Sequence, residues 1–290
     1  MRPNNRRPAA LGGALSIGFV LPVCLAVALV PADISRMHTV SSTLKAIDLF
    51  KRAGFDPRAS GPGSIGSIPR LFLASLPGDM PDLQDAGTRK AVFVSIVLPH
   101  VLHENERLLA DRKRLLRLQV ALSANRHVSR RDRRWLEGQA GRYGTAPEPA
   151  ALLAHVDIVP PRLAVAQAAQ ESGWGTSRFA QAGNALFGQH APPGIDAIAA
   201  EKASGVSLRA FADLRGSVRG YMHNLNTHRA YRGFRRLRAQ MRARGDGIDG
   251  HALAGTLGAY SEERGVYIER LRRIMTTPEV AMTREAALIR

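Results

Sequence analysis

Glu171 closes an alanine-rich run, Ala166-Gln167-Ala168-Ala169-Gln170-Glu171, and Ser172-Gly173-Trp174-Gly175 follows it directly. A second turn, Asn184-Ala185-Leu186-Phe187-Gly188, comes shortly after. A carboxylic acid beside turn-borne aromatics supplies what a sugar-cleaving cleft needs: a proton donor and a flat apolar platform. Burial and the negative end of a helix dipole both disfavour the carboxylate. An acid held protonated near neutral pH in this way can donate to a leaving glycosidic oxygen. Taken alone, an acid in this position is more often a plain exposed helix end, so the surrounding elements must decide.

Those elements are mainly helical. Asp157-Ile158-Val159-Pro160-Pro161 reads as a helix start, with an acid near the N-terminus and proline pre-set for the first turn. Leu163 to Ala169 are mostly small, so neighbouring helices can approach closely and this helix is expected to be central. Glu171 then lies two to three turns in, near a stop at Gly173 and Gly175. Upstream, Val94, Val97, Leu98, Val101, Leu102, Leu108, Leu109, Leu115 and Leu116 keep helical spacing, with Pro99 restarting or kinking the helix. Asn105 interrupts that stripe; it reads as a satisfied buried polar residue between solvent-facing Glu104 and Glu106, in preference to a cleft-lining trio. The basic stretch Arg126 to Arg134 reads as a solvated face. Residues 67–80 hold a short apolar run bounded by prolines, a strand or an extended packing segment. Val206 to Ala212 is strand-like, which predicts a small hairpin lobe between residues 190 and 212. Helical spacing returns at Val218, Tyr221, Met222 and Leu225, and two closing helices are expected around Leu253–Tyr260 and Ile268–Met275.

Composition narrows the partners. The 290 residues carry 41 Lys+Arg against 24 Asp+Glu, a formal charge of +17 that favours anionic polymers or headgroups. An arginine-rich composition can also follow from a GC-rich genome. There is no zinc-finger spacing, no RNA-binding aromatic signature and no phosphate-cradling glycine loop, so no specific nucleic-acid partner is expected. Cys24 is the single cysteine, which excludes an intramolecular disulfide. His190, His223 and His228 lack the paired spacing of a zinc site, and no metal or other cofactor is expected. Arg2, Arg6 and Arg7 precede an uncharged stretch from Pro8 to Ala32. This is the pattern of an exported chain, with either a signal anchor or a signal peptide cleaved near Ala26-Val27-Ala28.

Several motifs in order resemble the glucosaminidase domain of bacterial peptidoglycan hydrolases. They are Glu171-Ser172-Gly173-Trp174-Gly175 and Asn184-Ala185-Leu186-Phe187-Gly188. Ser67-Ile68-Pro69-Arg70, His103-Glu104-Asn105-Glu106-Arg107, Val156 to Pro161 and Tyr221 to His228 narrow the likeness to the Bax-like branch. The resemblance spans roughly residues 67–275. It implies a mainly α, lysozyme-like α+β domain with a small β-hairpin lobe. It also implies a hydrolase cutting the β-1,4 bond after N-acetylglucosamine in peptidoglycan, with Glu171 as general acid. Tyr260 is taken as the family's active-site tyrosine, with Tyr267 the alternative if the spacing differs by one residue.

Glu201 is the nearest candidate for a second acid; the substrate's own N-acetyl group, oriented by Tyr260, is the other route. Where some relatives carry an acid after the lobe, this chain has Gly220. Trp174, Asn184 and Phe187 are the substrate-binding candidates, although Phe187 fits packing better and Asn184 fits a turn hydrogen bond. The expected organisation is a signal anchor or peptide at 1–32, a linker at 33–66, a helical region at 67–150 and a catalytic domain at 151–290. Expected partners are glycan strands and, through the N-terminal segment, the inner membrane from the periplasmic side. A lytic transglycosylase and a non-catalytic wall-binding scaffold are the alternatives.

Overall fold

Proline at the first turn and an αL glycine just past the last mark the helix at the centre of the molecule, as the sequence leads one to expect. The structure is a computed structural model that describes residues 37–58, 67–191, 197–199 (backbone only) and 207–289. The expected signal segment and Glu201 lie outside the described residues.

The chain enters through β1 (Met37–His38) and α1 (Thr43–Arg52), then β2 (Ser67–Ile68) and β3 (Phe72–Leu73). The expected linker therefore contains a packed helix. Ser42 caps α1 by accepting from Lys45 N–H, and Ala46, Ile47 and Phe50 recur at helical spacing and are buried. The apolar stripe is short, and the glycine- and proline-rich end of that segment dominates its composition.

Next comes α2 (Ala86–Ser123), a single helix of 38 residues that runs through Pro99. Its first half is buried on every side from Ala91 to Leu102, whereas Leu109 and Leu116 on the second half are exposed. The helices α3 (Arg130–Tyr143) and α4 (Pro149–Leu153) lead to α5 (Pro161–Ser172). Every residue of α5 from Leu163 to Ala169 is buried, because alanine-sized side chains let α2 and α10 close on it. After α5 come α6 (Arg178–Gly183), β4 (Ala197–Ala199) and β5 (Ser207–Arg209). The closing elements are α7 (Leu214–Thr227), α8 (Arg232–Arg244), α9 (Gly250–Ala254), α10 (Arg264–Met275), α11 (Pro278–Ala281) and β6 (Ala287–Leu288).

The fold is mainly α, with β4 and β5 forming the expected antiparallel hairpin, Ile198 opposite Leu208. Strands are not confined to that lobe. Two-residue parallel pairs, β1 with β3 and β2 with β6, tie the first and last described segments to the helical body. Among the described residues no helix is long and apolar enough to cross a membrane.

Two sequence readings change. Asn105 is buried and satisfied as expected, donating to Val159 O at 2.8 Å and accepting from Val159 N–H at 3.1 Å. Glu104 does not face solvent: its side chain is buried and ion-paired to Arg107 and Arg219. Glu106 stays exposed and pairs with Arg70. Asp157 is not a helix-end acid either, since Pro160 occupies the N-cap. Its carboxylate is buried and takes Arg242 at 2.9 Å, Arg112 at 3.4 Å and Arg238 at 3.9 Å.

Candidate active site

Glu171 occupies the last turn of α5, which Gly173 ends in the left-handed conformation. Ser172 stitches that end to the next turn, donating to Ala168 O at 2.6 Å and accepting from Gly175 N–H at 2.9 Å. The partly buried Glu171 carboxyl is pushed above its ordinary pKa by burial, which outweighs the opposing hydrogen bond from Tyr267. The second turn supplies the wall in front of it. Leu186 N–H is fixed by Ser217 Oγ on α7 at 3.2 Å, and Gly188 follows at φ 60°. A Cβ on Gly188 would meet Glu171 Oε2 at 3.2 Å, so only a bare backbone passes this close without forcing the carboxyl aside.

A directed chain of hydrogen bonds ends on the acid. Tyr221 Oη donates to Gln167 Oε1 at 2.6 Å, and Gln167 Nε2 donates to Tyr267 Oη at 2.9 Å. With its oxygen already accepting, Tyr267 keeps its proton for Glu171, to which it is hydrogen-bonded. Burial, then the Glu171 charge, raise the Tyr267 pKa, so the phenol stays protonated and remains a donor. Replacing Tyr267 with Phe is expected to raise the Glu171 pKa further. In a pH–rate profile the alkaline limb would move to higher pH while the maximal rate falls; an unmoved limb would remove Tyr267 from this role.

Tyr260, the tyrosine expected from the sequence, lies next in line. Its ring is parallel to that of Tyr267 at 5.7 Å, and its hydroxyl donates to Phe187 O at 2.8 Å. It therefore braces the second turn and does not reach Glu171 directly by hydrogen bond. Tyr260 also lines a cleft of about 520 Å³ together with Gly188, Gln189, His190, Asn224 and Tyr231. Gly188 lines this cleft and also lies against the Glu171 carboxyl, which is itself not among the lining residues.

The remaining candidates separate. Phe187 is 1% exposed and stacked on Tyr221 at 3.9 Å, so its ring belongs to the core and offers no platform to a sugar. Trp174, at φ 58°, packs edge-on against Phe93 at 5.9 Å with Lys90 over its ring at 5.3 Å. It is pinned beside the helical body, outside the cleft lining. Asn184 caps α6 in the left-handed conformation, and its Nδ2 donates to Phe211 O at 3.1 Å, tying the turn to the base of the hairpin. At Gly220 a Cβ would stand 2.9 Å from Phe211, so a carboxylate there has no room while that ring is in place. No cluster of three or more His, Cys, Asp or Glu able to hold a metal ion occurs among the described residues.

Gln167, Tyr221 and Gly188 were not singled out from sequence as site residues. Gln167 carried a signal: a polar side chain in a run of small apolar ones, four residues before Glu171 and hence on the same helix face.

Comparison with known proteins bears on the family. The glucosaminidase family profile, described as mannosyl-glycoprotein endo-beta-N-acetylglucosaminidase, matches residues 148–279. The protein Bax of Escherichia coli strain K12 is 35% identical over 198 residues, covering 65% of this chain and 70% of that protein. The catalytic domain of the autolysin Auto from Listeria monocytogenes aligns with a TM-score of 0.34 and 14% identity, over 58% of this chain and 96% of that domain. With motifs, helical body and hairpin in the expected order, the chain belongs to the Bax-like family of glucosaminidase-domain proteins.

Proposed function

We propose that the protein is a peptidoglycan hydrolase that cleaves the β-1,4 bond after N-acetylglucosamine, with Glu171 as general acid. The observation that carries this reading is the Glu171 carboxyl itself. It ends a buried helix with its pKa raised by burial, sits against the bare backbone of Gly188, and holds the end of the Tyr221–Gln167–Tyr267 chain. Glu171 would protonate the leaving glycosidic oxygen as the anomeric C–O bond breaks, becoming a carboxylate that Tyr267 stabilises.

The anomeric carbon needs an electron pair from the other side. In the substrate-assisted route the substrate's N-acetyl oxygen supplies it as the attacking group. Water then opens the resulting ring at the anomeric carbon and returns its proton to Glu171. Glu201 is the alternative partner, acting as base or nucleophile. A Glu201→Gln variant with normal turnover would leave the substrate-assisted route standing, and a dead one would favour two acids.

Mass analysis of digested peptidoglycan tests the reading. Hydrolysis after N-acetylglucosamine yields reducing N-acetylglucosamine ends. Anhydro-muramyl ends would instead assign a lytic transglycosylase, and no release would assign a wall-binding scaffold. We place the enzyme in the periplasm, held at the inner membrane by residues 1–32 unless they are cleaved. Fractionation with N-terminal sequencing distinguishes the two.

A further inference from the structure

A second hollow lies along the same helix α7 that walls the cleft. It encloses about 600 Å³ between α2, the end of α3, the residues after β5, and α7. Its α2 and α3 walls, which carry Glu104, Arg107, Asp111 and Arg142, lie outside the residues 148–279 that match the glucosaminidase profile. The N-terminal helices thus add a cavity to the glucosaminidase domain. Adjacent residues of α7 serve the two hollows, His223 facing this cavity and Asn224 the cleft. Phe211 closes its floor against Gly220, where a side chain would not fit.

The lining contains four arginines against two carboxylates. Arg107 and Arg219 are committed to the buried Glu104. Arg142 and Arg209 form no ion pair among the described residues, and the buried Nε of Arg209 has no hydrogen-bond partner. Both sit close enough to His223 for their charges, added to burial, to lower its pKa. Asp111, partly buried, likewise forms no ion pair among the described residues and is left as an acceptor in the same hollow. The Arg209 guanidinium rests over the Phe211 ring at 4.8 Å and Arg142 is exposed, so two guanidinium groups without a carboxylate in contact, beside the Asp111 acceptor, suit a ligand bearing a carboxylate next to N–H donors.

We propose that this cavity binds the short peptide carried by the glycan strand, its free carboxylate held by Arg142 and Arg209 and its N–H groups facing Asp111. The assignment rests on the hydrolase reading for the identity of the polymer. It makes the N-terminal helices a specificity element: a strand seated in the cleft is gripped beside α7 through its peptide.

The test uses full-length protein with Glu171→Gln, so that nothing is turned over, and calorimetry with a disaccharide-peptide fragment of peptidoglycan. Arg142→Gln combined with Arg209→Gln should weaken binding at least tenfold with an unchanged melting temperature. The same fragment with its carboxylates amidated should bind the parent protein as weakly. Equal binding of free-acid and amidated fragments, or displacement by inorganic phosphate at matched concentration, would overturn the proposal. Unchanged affinity in the double variant would do the same. If the arginine variants lose the peptide but protein with Glu171 intact cleaves no glycan, the cavity stands and the hydrolase reading falls. If glycan is cleaved and the arginines do not matter, the reverse holds.

Discussion

Glu171→Gln should reduce glycan cleavage by about 10²–10⁴-fold while leaving the protein folded and able to bind its polymer. Gln keeps the size and the hydrogen-bond capacity toward Tyr267 but cannot surrender a proton to a leaving oxygen. Glu171→Asp is a sharper control, because it keeps the acid but withdraws it by one methylene from the Gly188 wall, and misplacement on the order of 1 Å can cost 10²-fold. The variant has an unusual second signature. Burial raises the Glu171 pKa in the folded state, so the folded protein binds this proton more tightly than the unfolded chain does. Stability therefore falls as pH rises from the unfolded carboxylate range through the folded pKa. Glu171→Gln removes that penalty and should melt slightly higher than the parent at neutral pH, with the difference vanishing in acid. Full activity in Glu171→Gln would discard the assignment. A lower melting temperature at every pH would show that the carboxylate is structurally required.

Why the acid and its helix were legible while their surroundings were not follows from the range of the interactions. A run of small residues, a proline start and a glycine stop are local signals, and they placed α5 and Glu171 within it correctly. The hairpin was bracketed in the same way by turn residues and one strand-like run. Tyr260 and Tyr267 are seven residues apart, close to two helical turns, so spacing alone could not tell which one meets the acid. A short 3₁₀ turn at Gly258–Tyr260 and the start of α10 at Arg264 intervene, and they direct Tyr260 to Phe187 and Tyr267 to Glu171. Glu104 resembled a solvated helix residue because one of its partners, Arg219, is 115 positions away. The Phe187 ring, beside a glycine turn, fits packing from its sequence setting, and the ring it packs on, Tyr221, is again distant in sequence.

Asp157→Ala should lower the folding stability by about 3–5 kcal/mol, the usual cost of stranding a buried charge. The carboxylate side chain is 3% exposed and that of Arg238 only 1%. Arg242 grips Asp157 through two nitrogens at 2.9 and 3.1 Å, and Arg112 adds a contact at 3.4 Å. These arginines come from α2 and α8, so the carboxylate ties both helices to the segment that starts α5. Burial pushes the Asp157 pKa up, but the Arg242 hydrogen bond and the charges of Arg238, Arg112 and Arg242 outweigh it and hold the pKa below the ordinary value. A depressed carboxylate stabilises the fold above its unfolded pKa of about 4 and loses that contribution as pH falls through the folded value. The difference between parent and Asp157→Ala in urea titrations should therefore be full at neutral pH and shrink below about pH 4. Arg238 has other acceptors, Ile158 O at 2.7 Å and Asn226 Oδ1 at 2.7 Å, so its guanidinium stays hydrogen-bonded when its counter-charge is gone. The loss is then mainly electrostatic, and Asp157→Asn, which keeps the shape, should cost nearly as much as Asp157→Ala. If Asn were tolerated with little loss, the carboxylate would be acting through geometry alone, and the charge balance between Asp157 and the arginines of α2 and α8 would not be what holds α5 in place.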